Sequence, residues 1–241
     1  MTVNPWQSLR AFTPARIAIG RVGGSQPTEA VLNFRLSHAI AKDAVYADFD
    51  IAALSKQLGE TITLSSCSPD KKDYLLRPDH GRILSADSVR TLTALELPPP
   101  DLALIISDGL AAASSQHAPA LIHRLRALLP DWQIAPVFLI PRARVKIQDH
   151  LGTLIKARHT LILLGERPGL GTPDSLGAYL TARPGPDSTD ADRNCVSNIR
   201  PEGIPPQRAA EKLAWLLNEA KRLGFSGVDL KDREVESLEN L

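Results

Sequence analysis

This chain is short of several residue types that would announce a function. It has two cysteines in 241 residues, Cys67 and Cys195, far apart in sequence. No C-x-x-C pair exists, so neither a zinc site nor a redox motif is suggested, and a reduced, intracellular protein is expected. Aromatic residues are only 5% of the chain, which argues against base-stacking platforms. Charge of neither sign prevails: 28 basic against 27 acidic residues leave a net +1. There is no bulk electrostatic case for nucleic acid or an anionic membrane. No apolar run reaches the roughly 18 residues that span a bilayer. The start, Met1 to Arg10, lacks the charged-then-apolar layout of a secretory signal.

What is present fits an ordinary globular protein: 43% hydrophobic and 23% charged residues, enough for one or two domains. No internal repeat or low-complexity stretch interrupts it. Residues 1–27 read as an extended arm with turns. A long helix is expected to open at Thr28, with Leu32, Leu36, Ala39, Ile40 and Ala44 on one face. Asp50 should cap a second helix that Gly59 ends, and Thr61 to Ser65 alternates like a strand.

From residue 84 the pattern becomes regular. Helix 85–95, strand 102–106, helix 110–129, strand 134–140, helix 146–157 and strand 160–164 follow in turn. Strand 178–181 is expected to add to the sheet, and helix 205–223 to cover it. Short apolar strands alternating with longer helices predict βαβ units. The expected fold is therefore α/β: a Rossmann-like, mostly parallel sheet with flanking helices, preceded by an N-terminal helical portion. The division falls at an arm and helical portion, 1–80, and a sheet domain, 81–241. The acidic end, 229–239, reads as a solvated tail or helix face.

In an open α/β sheet, ligands bind beyond the carboxyl ends of the strands. Three loops fall there: Ser107-Asp108-Gly109, Pro141 to Lys146, and Gly165 to Gly171. Each has two readings. Asp108 either caps the helix after it or lines a site. Arg142, Arg144 and Lys146 are either a solvated edge or ligand cations. Glu166 is either a loop carboxylate or a polar contact, and Gly169 and Gly171 set a turn or admit a ligand. Several chemistries are excluded by pattern. No third glycine completes G-x-G-x-x-G, no G-x-x-x-x-G-K-[ST] exists, and neither G-x-S-x-G nor H-E-x-x-H occurs. A binding or cofactor-holding subunit fits better than a free-standing hydrolase or dehydrogenase.

Six segments in order carry a resemblance. They are Arg16-Ile-Ala-Ile-Gly-Arg-Val-Gly, Leu76-Arg-Pro-Asp-His-Gly-Arg-Ile-Leu, Ile106-Ser-Asp-Gly-Leu, Arg144-Val-Lys-Ile-Gln-Asp-His-Leu-Gly, Leu164-Gly-Glu-Arg-Pro-Gly-Leu-Gly and Asp192-Arg-Asn-Cys-Val-Ser-Asn-Ile-Arg. Together they resemble the small subunit of ethanolamine ammonia-lyase, over residues 14–224.

That resemblance implies a lyase subunit acting in the conversion of ethanolamine to acetaldehyde and ammonia by radical chemistry. Its cofactor would be adenosylcobalamin, held at the interface with a large TIM-barrel subunit that carries the reacting groups. No catalytic residue or metal ligand is then expected on this chain. The family's cobalamin contacts carry over to Val145, Glu166 and Cys195. The resemblance also implies a six-plus-six assembly. The chain lacks D-x-H-x-x-G, so the cofactor should keep its own base on cobalt (base-on), with His150 the residue to watch otherwise. The shared region begins almost at once, without the N-terminal extension that enteric members use to enter a microcompartment. The expected location is the cytoplasm, or a microcompartment where the organism makes one. Two other readings stand beside this one: an assembly subunit that never touches the cofactor, and a stand-alone α/β ligand-binding enzyme.

Overall fold

A computed structural model describes residues 5–13, 15–20 and 23–231. Seven α-helices and six strands occur among them. They run α1 (Thr28–Tyr46), α2 (Ile51–Leu58), β1 (Thr61–Thr63), α3 (Lys71–Leu76), α4 (Ala86–Ala94), β2 (Leu102–Ser107), α5 (Ala118–Leu128), β3 (Val137–Leu139), α6 (Ile147–Leu154), β4 (His159–Gly165), β5 (Leu176–Ala182), β6 (Arg193–Ile199) and α7 (Pro206–Leu223). The acidic segment from residue 232 lies outside the described residues. No described helix is long and apolar enough to cross a membrane.

One six-stranded sheet in the order β1-β3-β2-β4-β5-β6 organises the chain. Along β2 and β4 every residue is buried, as expected of strands covered on both faces. Side chains alternate between two cores. Leu102, Leu104, Ile106, Leu161 and Leu163 point to one face, where α2, α5 and α7 supply Leu54, Leu121, Leu125, Leu213 and Leu217. Ala103, Ile105, Ile162 and Leu164 point to the other, against Leu92 of α4 and Ile147 and Leu151 of α6. Burying each such aliphatic side chain is worth about 1.5–3 kcal/mol.

The fold is α/β as expected, but the sheet is mixed rather than mostly parallel. β1, β3, β2 and β4 are mutually parallel. β5 runs antiparallel to β4, and β6 antiparallel to β5. The reason lies in the connections. A parallel neighbour needs a crossover of a dozen or more residues, usually a helix. The segments 166–175 and 183–192 are shorter and hold no α-helix.

Two local expectations need the same treatment. Helix 110–129 is broken: a 3-10 turn over Ala112–His117 precedes α5. Pro119 has no N–H to donate and fits only the first turn of α5, so the helix restarts there. Of the five residues expected on one face of α1, Ala44 alone is buried. At the start of α2, Asp50 does cap, its carboxylate accepting from Ala53 N at 2.9 Å.

Candidate functional site

The three loops at the carboxyl ends of β2, β3 and β4 are welded together. Leu110 N donates to Gly165 O at 2.9 Å. A Cβ on Gly165 would lie 2.2 Å from Ala111 O, and one on Gly109 would lie 2.3 Å from Gly165 O. Only glycine allows that approach. Asp108, 5% exposed, does not cap a helix. Its Oδ1 accepts from Arg142 N at 2.5 Å and from Ser107 Oγ at 3.1 Å. Its Oδ2 faces Lys71 Nζ at 3.4 Å. Ser107 Oγ in turn accepts from Ala143 N at 3.0 Å.

The loop cations are committed to protein. Arg142 Nε donates to Ser68 O at 2.9 Å. Arg144 donates to Tyr74 O at 2.8 Å and lies 4.1 Å from that ring's centroid. Lys146 Nζ reaches Ser188 O at 2.9 Å and Pro186 O at 3.2 Å. They act as struts of the crevice wall. Gly169 and Thr172 close a turn by exchanging backbone hydrogen bonds, 3.0 and 3.3 Å. Arg16 of the N-terminal arm donates to Leu170 O at 3.2 Å.

Glu166 leaves the end of β4 half-buried. Its Oε2 accepts from Ser175 Oγ and, at 3.2 Å, from Asn198 N. Its Oε1 has no hydrogen-bond partner among the described residues, and rests where a Cβ on Gly177 would come within 2.9 Å. The carboxylate is thus fixed by one oxygen and presents the other. Val145, half-buried, packs against the same core cluster as Tyr179. Cys195 is the cross-strand partner of Tyr179, so their side chains share a face of the sheet. Glu166, lying over Gly177 beside Tyr179, shares that face too.

Tyr179 was not singled out from sequence, nor were Ser175 and Asn198. Alternation along β5 places Gly177 and Tyr179 on one face, and that signal was there to read; nothing local marks Ser175. The Tyr179 hydroxyl is pushed up to about 12, first by burial and then by the neighbouring Cys195 and Glu166. It stays a neutral donor. The Cys195 thiol is also pushed up. The residue is open to solvent on one side, but desolvation by the protein beneath it outweighs the Tyr179 hydrogen bond, and Glu166 adds repulsion. It is a poor nucleophile and no thiolate ligand. His150 accepts from Leu84 N at 3.1 Å through Nδ1. No group of three or more potential metal ligands occurs among the described residues.

One end of this mixed sheet therefore offers a half-open face with a fixed carboxylate, a phenol and a thiol, on an α/β chain with a polar crevice. The comparisons place it further. The family described as ethanolamine ammonia-lyase light chain (EutC) matches residues 3–231. The ethanolamine ammonia-lyase small subunit of Pseudomonas putida is 48% identical, covering 98% of this chain and 91% of that one. Those of Azotobacter vinelandii and Xanthomonas campestris are 47% and 48% identical over 99% and 95% of this chain, and 92% and 88% of theirs. The chain belongs to the ethanolamine ammonia-lyase small-subunit family, and is thereby a component of an ammonia-lyase.

Proposed function

We propose that this chain holds adenosylcobalamin against a large, TIM-barrel subunit in an enzyme that converts ethanolamine to acetaldehyde and ammonia. The observation that carries this is Glu166: one oxygen tied down by Ser175 and Asn198, the other presented beside Gly177. Corrin rings are rimmed by amide side chains, which donate to a carboxylate with a free oxygen. The donor set fits that group. A Cβ at position 177 would crowd the carboxylate.

Residue roles follow from the geometry. Glu166 accepts from a peripheral amide and orients the ring. Val145 supplies an apolar contact or its backbone groups. Cys195, kept as a thiol, packs as a small side chain. When bound, the cofactor supplies the radical that starts the reaction, and the protein supplies binding and orientation. His150 has its Nδ1 engaged by Leu84, which supports a base-on cofactor.

In this reading the Rossmann-like part, 81–241, carries the loops that face the cofactor, and the N-terminal arm and α1 face the partner. Leu32, Leu36 and Ile40 are 57%, 60% and 46% exposed along α1, and Phe12 is 85% exposed. An apolar stripe of this kind marks a protein interface. Assembly is six large with six small subunits, in the cytoplasm or in a microcompartment where the organism makes one.

Co-expression with the large subunit tests the proposal. The pair should yield ethanolamine-dependent acetaldehyde, and each chain alone none. Glu166→Gln should weaken cobalamin binding about tenfold with assembly intact, the loss of one charge-assisted hydrogen bond. Full activity from the large subunit alone would sink it. Unchanged cobalamin affinity in Glu166→Gln would leave only an assembly role.

A further inference from the structure

At the opposite end of the sheet from the loops lies a cavity of about 630 Å³, with Lys156, Arg158, Arg183 and Lys221 in its wall. It opens where β4 begins at His159 and its cross-strand partner Ala182 ends β5. No acidic side chain lines it among the described residues. Asp101 stands behind, pairing with Arg158 at 2.9 Å and Lys221 at 3.7 Å. Lys156 and Arg183 have no side-chain hydrogen bond or ion pair among the described residues.

The backbone at those two positions points the same way. Lys156 has φ 54° and Arg183 φ 51°, the left-handed region that costs least for glycine. Lys156 closes α6: its N–H bonds to Thr153 O at 3.3 Å and the Ala157 N–H to Gly152 O at 2.9 Å. That is the helix ending at which glycine is usual. Arg183 follows a strand, its amide fixed on Arg158 O at 2.8 Å. The two segments meet tightly, since a Cβ on Gly152 would lie 2.4 Å from Pro184 Cγ. A cation at the end of α6 complements that helix's dipole, and Arg183, whose guanidinium lies against the C-cap Gly224, does the same for α7. Two neighbouring positions thus keep long cations at a backbone cost that glycine would relieve.

We infer that this cavity binds a small phosphate-bearing anion, with Arg183 as the forked donor and Lys156 as the opposing point charge. The volume suits a diphosphate group with more attached. This site is independent of the cobalamin reading.

Calorimetric titration of the full chain with inorganic pyrophosphate, and separately with ADP, tests it. Wild type should bind, more weakly as salt is raised. Tighter binding of ADP would identify a nucleotide-type ligand, and equal binding the phosphate groups alone. The double variant Lys156→Gly with Arg183→Gly should raise Kd at least tenfold, with a melting temperature no lower than wild type because strain is relieved. Glu166→Gln should leave both titrations unchanged. No binding of either probe at low ionic strength, or binding by the glycine variant within twofold of wild type, would overturn the inference.

Discussion

Arg193 and Asp149 form a two-pronged ion pair at 2.6 and 2.9 Å, their side chains 3% and 2% exposed. Thr181 completes it, accepting from Arg193 at 2.8 Å. The pair bolts α6 to β6, two residues from Cys195. Removing one partner leaves a buried charge, so Arg193→Met or Asp149→Leu should each cost about 3–5 kcal/mol. The double variant should cost far less than the sum. Chemical denaturation of all three variants measures this; additive losses would show that the two side chains do not act as a pair.

The glycines of the crevice separate fold from site. Gly165→Ala drives a Cβ into two backbone carbonyls, Ala111 O and Asp108 O. It should destabilise by about 3 kcal/mol, the upper part of the range for overpacking. Gly177→Ala meets instead the end of the Glu166 side chain, at 2.9 Å, which can swing away. Its melting temperature should stay near wild type while cobalamin affinity falls. Equal loss of stability in both variants would contradict this.

Much of the scaffold was legible because burial is written in apolar runs. Leu102 to Ile106 and Thr160 to Leu164 are continuous hydrophobic strands, and Asp50 and Gly59 bracket α2 in sequence as they do in space. Strand direction is not written that way. It follows from the lack of a crossover helix between β4 and β5, which the same sequence shows when connection length is weighed. β6 stayed hidden because Arg193 to Ile199 is largely polar, and its alternation breaks near Asn198, at φ 57°. Leu32, Leu36 and Ile40 read as one apolar face on period alone; such a stripe looks the same whether its cover is this chain or another. Glu166 was readable as a strand-end carboxylate. Its fixing by Ser175 and Asn198, 9 and 32 residues further on, depends on how β5 and β6 fold back beside β4, which no local pattern encodes.

Stability should fall on mild acidification. Burial holds His150 and His159 below the usual value of 6.5, with the Asp101 carbonyl partly opposing it at His159. The unfolded chain then takes up protons first as pH falls through about 6.5, so stability is full above that point and declines below it, down to the lowered folded values. The melting temperature should drop between about pH 7 and about pH 5.5. His150→Gln keeps an acceptor for Leu84 N–H but cannot titrate, and should flatten the slope. An unchanged slope would remove His150 from the account.

Cys195 should be slow to alkylate for an exposed cysteine. Desolvation and the nearby Glu166 carboxylate raise its thiol above the ordinary 9.0, against the Tyr179 hydrogen bond. The rate of iodoacetamide reaction against pH should therefore rise only above that value. Tyr179→Phe removes the bond that stabilises the thiolate and should shift the profile further up; a downward shift would reverse the assigned direction of that hydrogen bond. Cobalamin added with the large subunit should protect the thiol.

The exposed stripe on α1 gives a test of assembly alone. Leu32 and Leu36 lie open on the described surface, so charged replacements should change the chain's own stability by no more than about 0.5 kcal/mol. Against a large subunit the same charges would have to be desolvated without a partner, a cost of several kcal/mol. Leu32→Asp with Leu36→Asp should fold with a wild-type melting temperature and fail to co-purify with the large subunit. Loss of folding would place the stripe in this chain's own core, and undiminished co-purification would move the interface elsewhere.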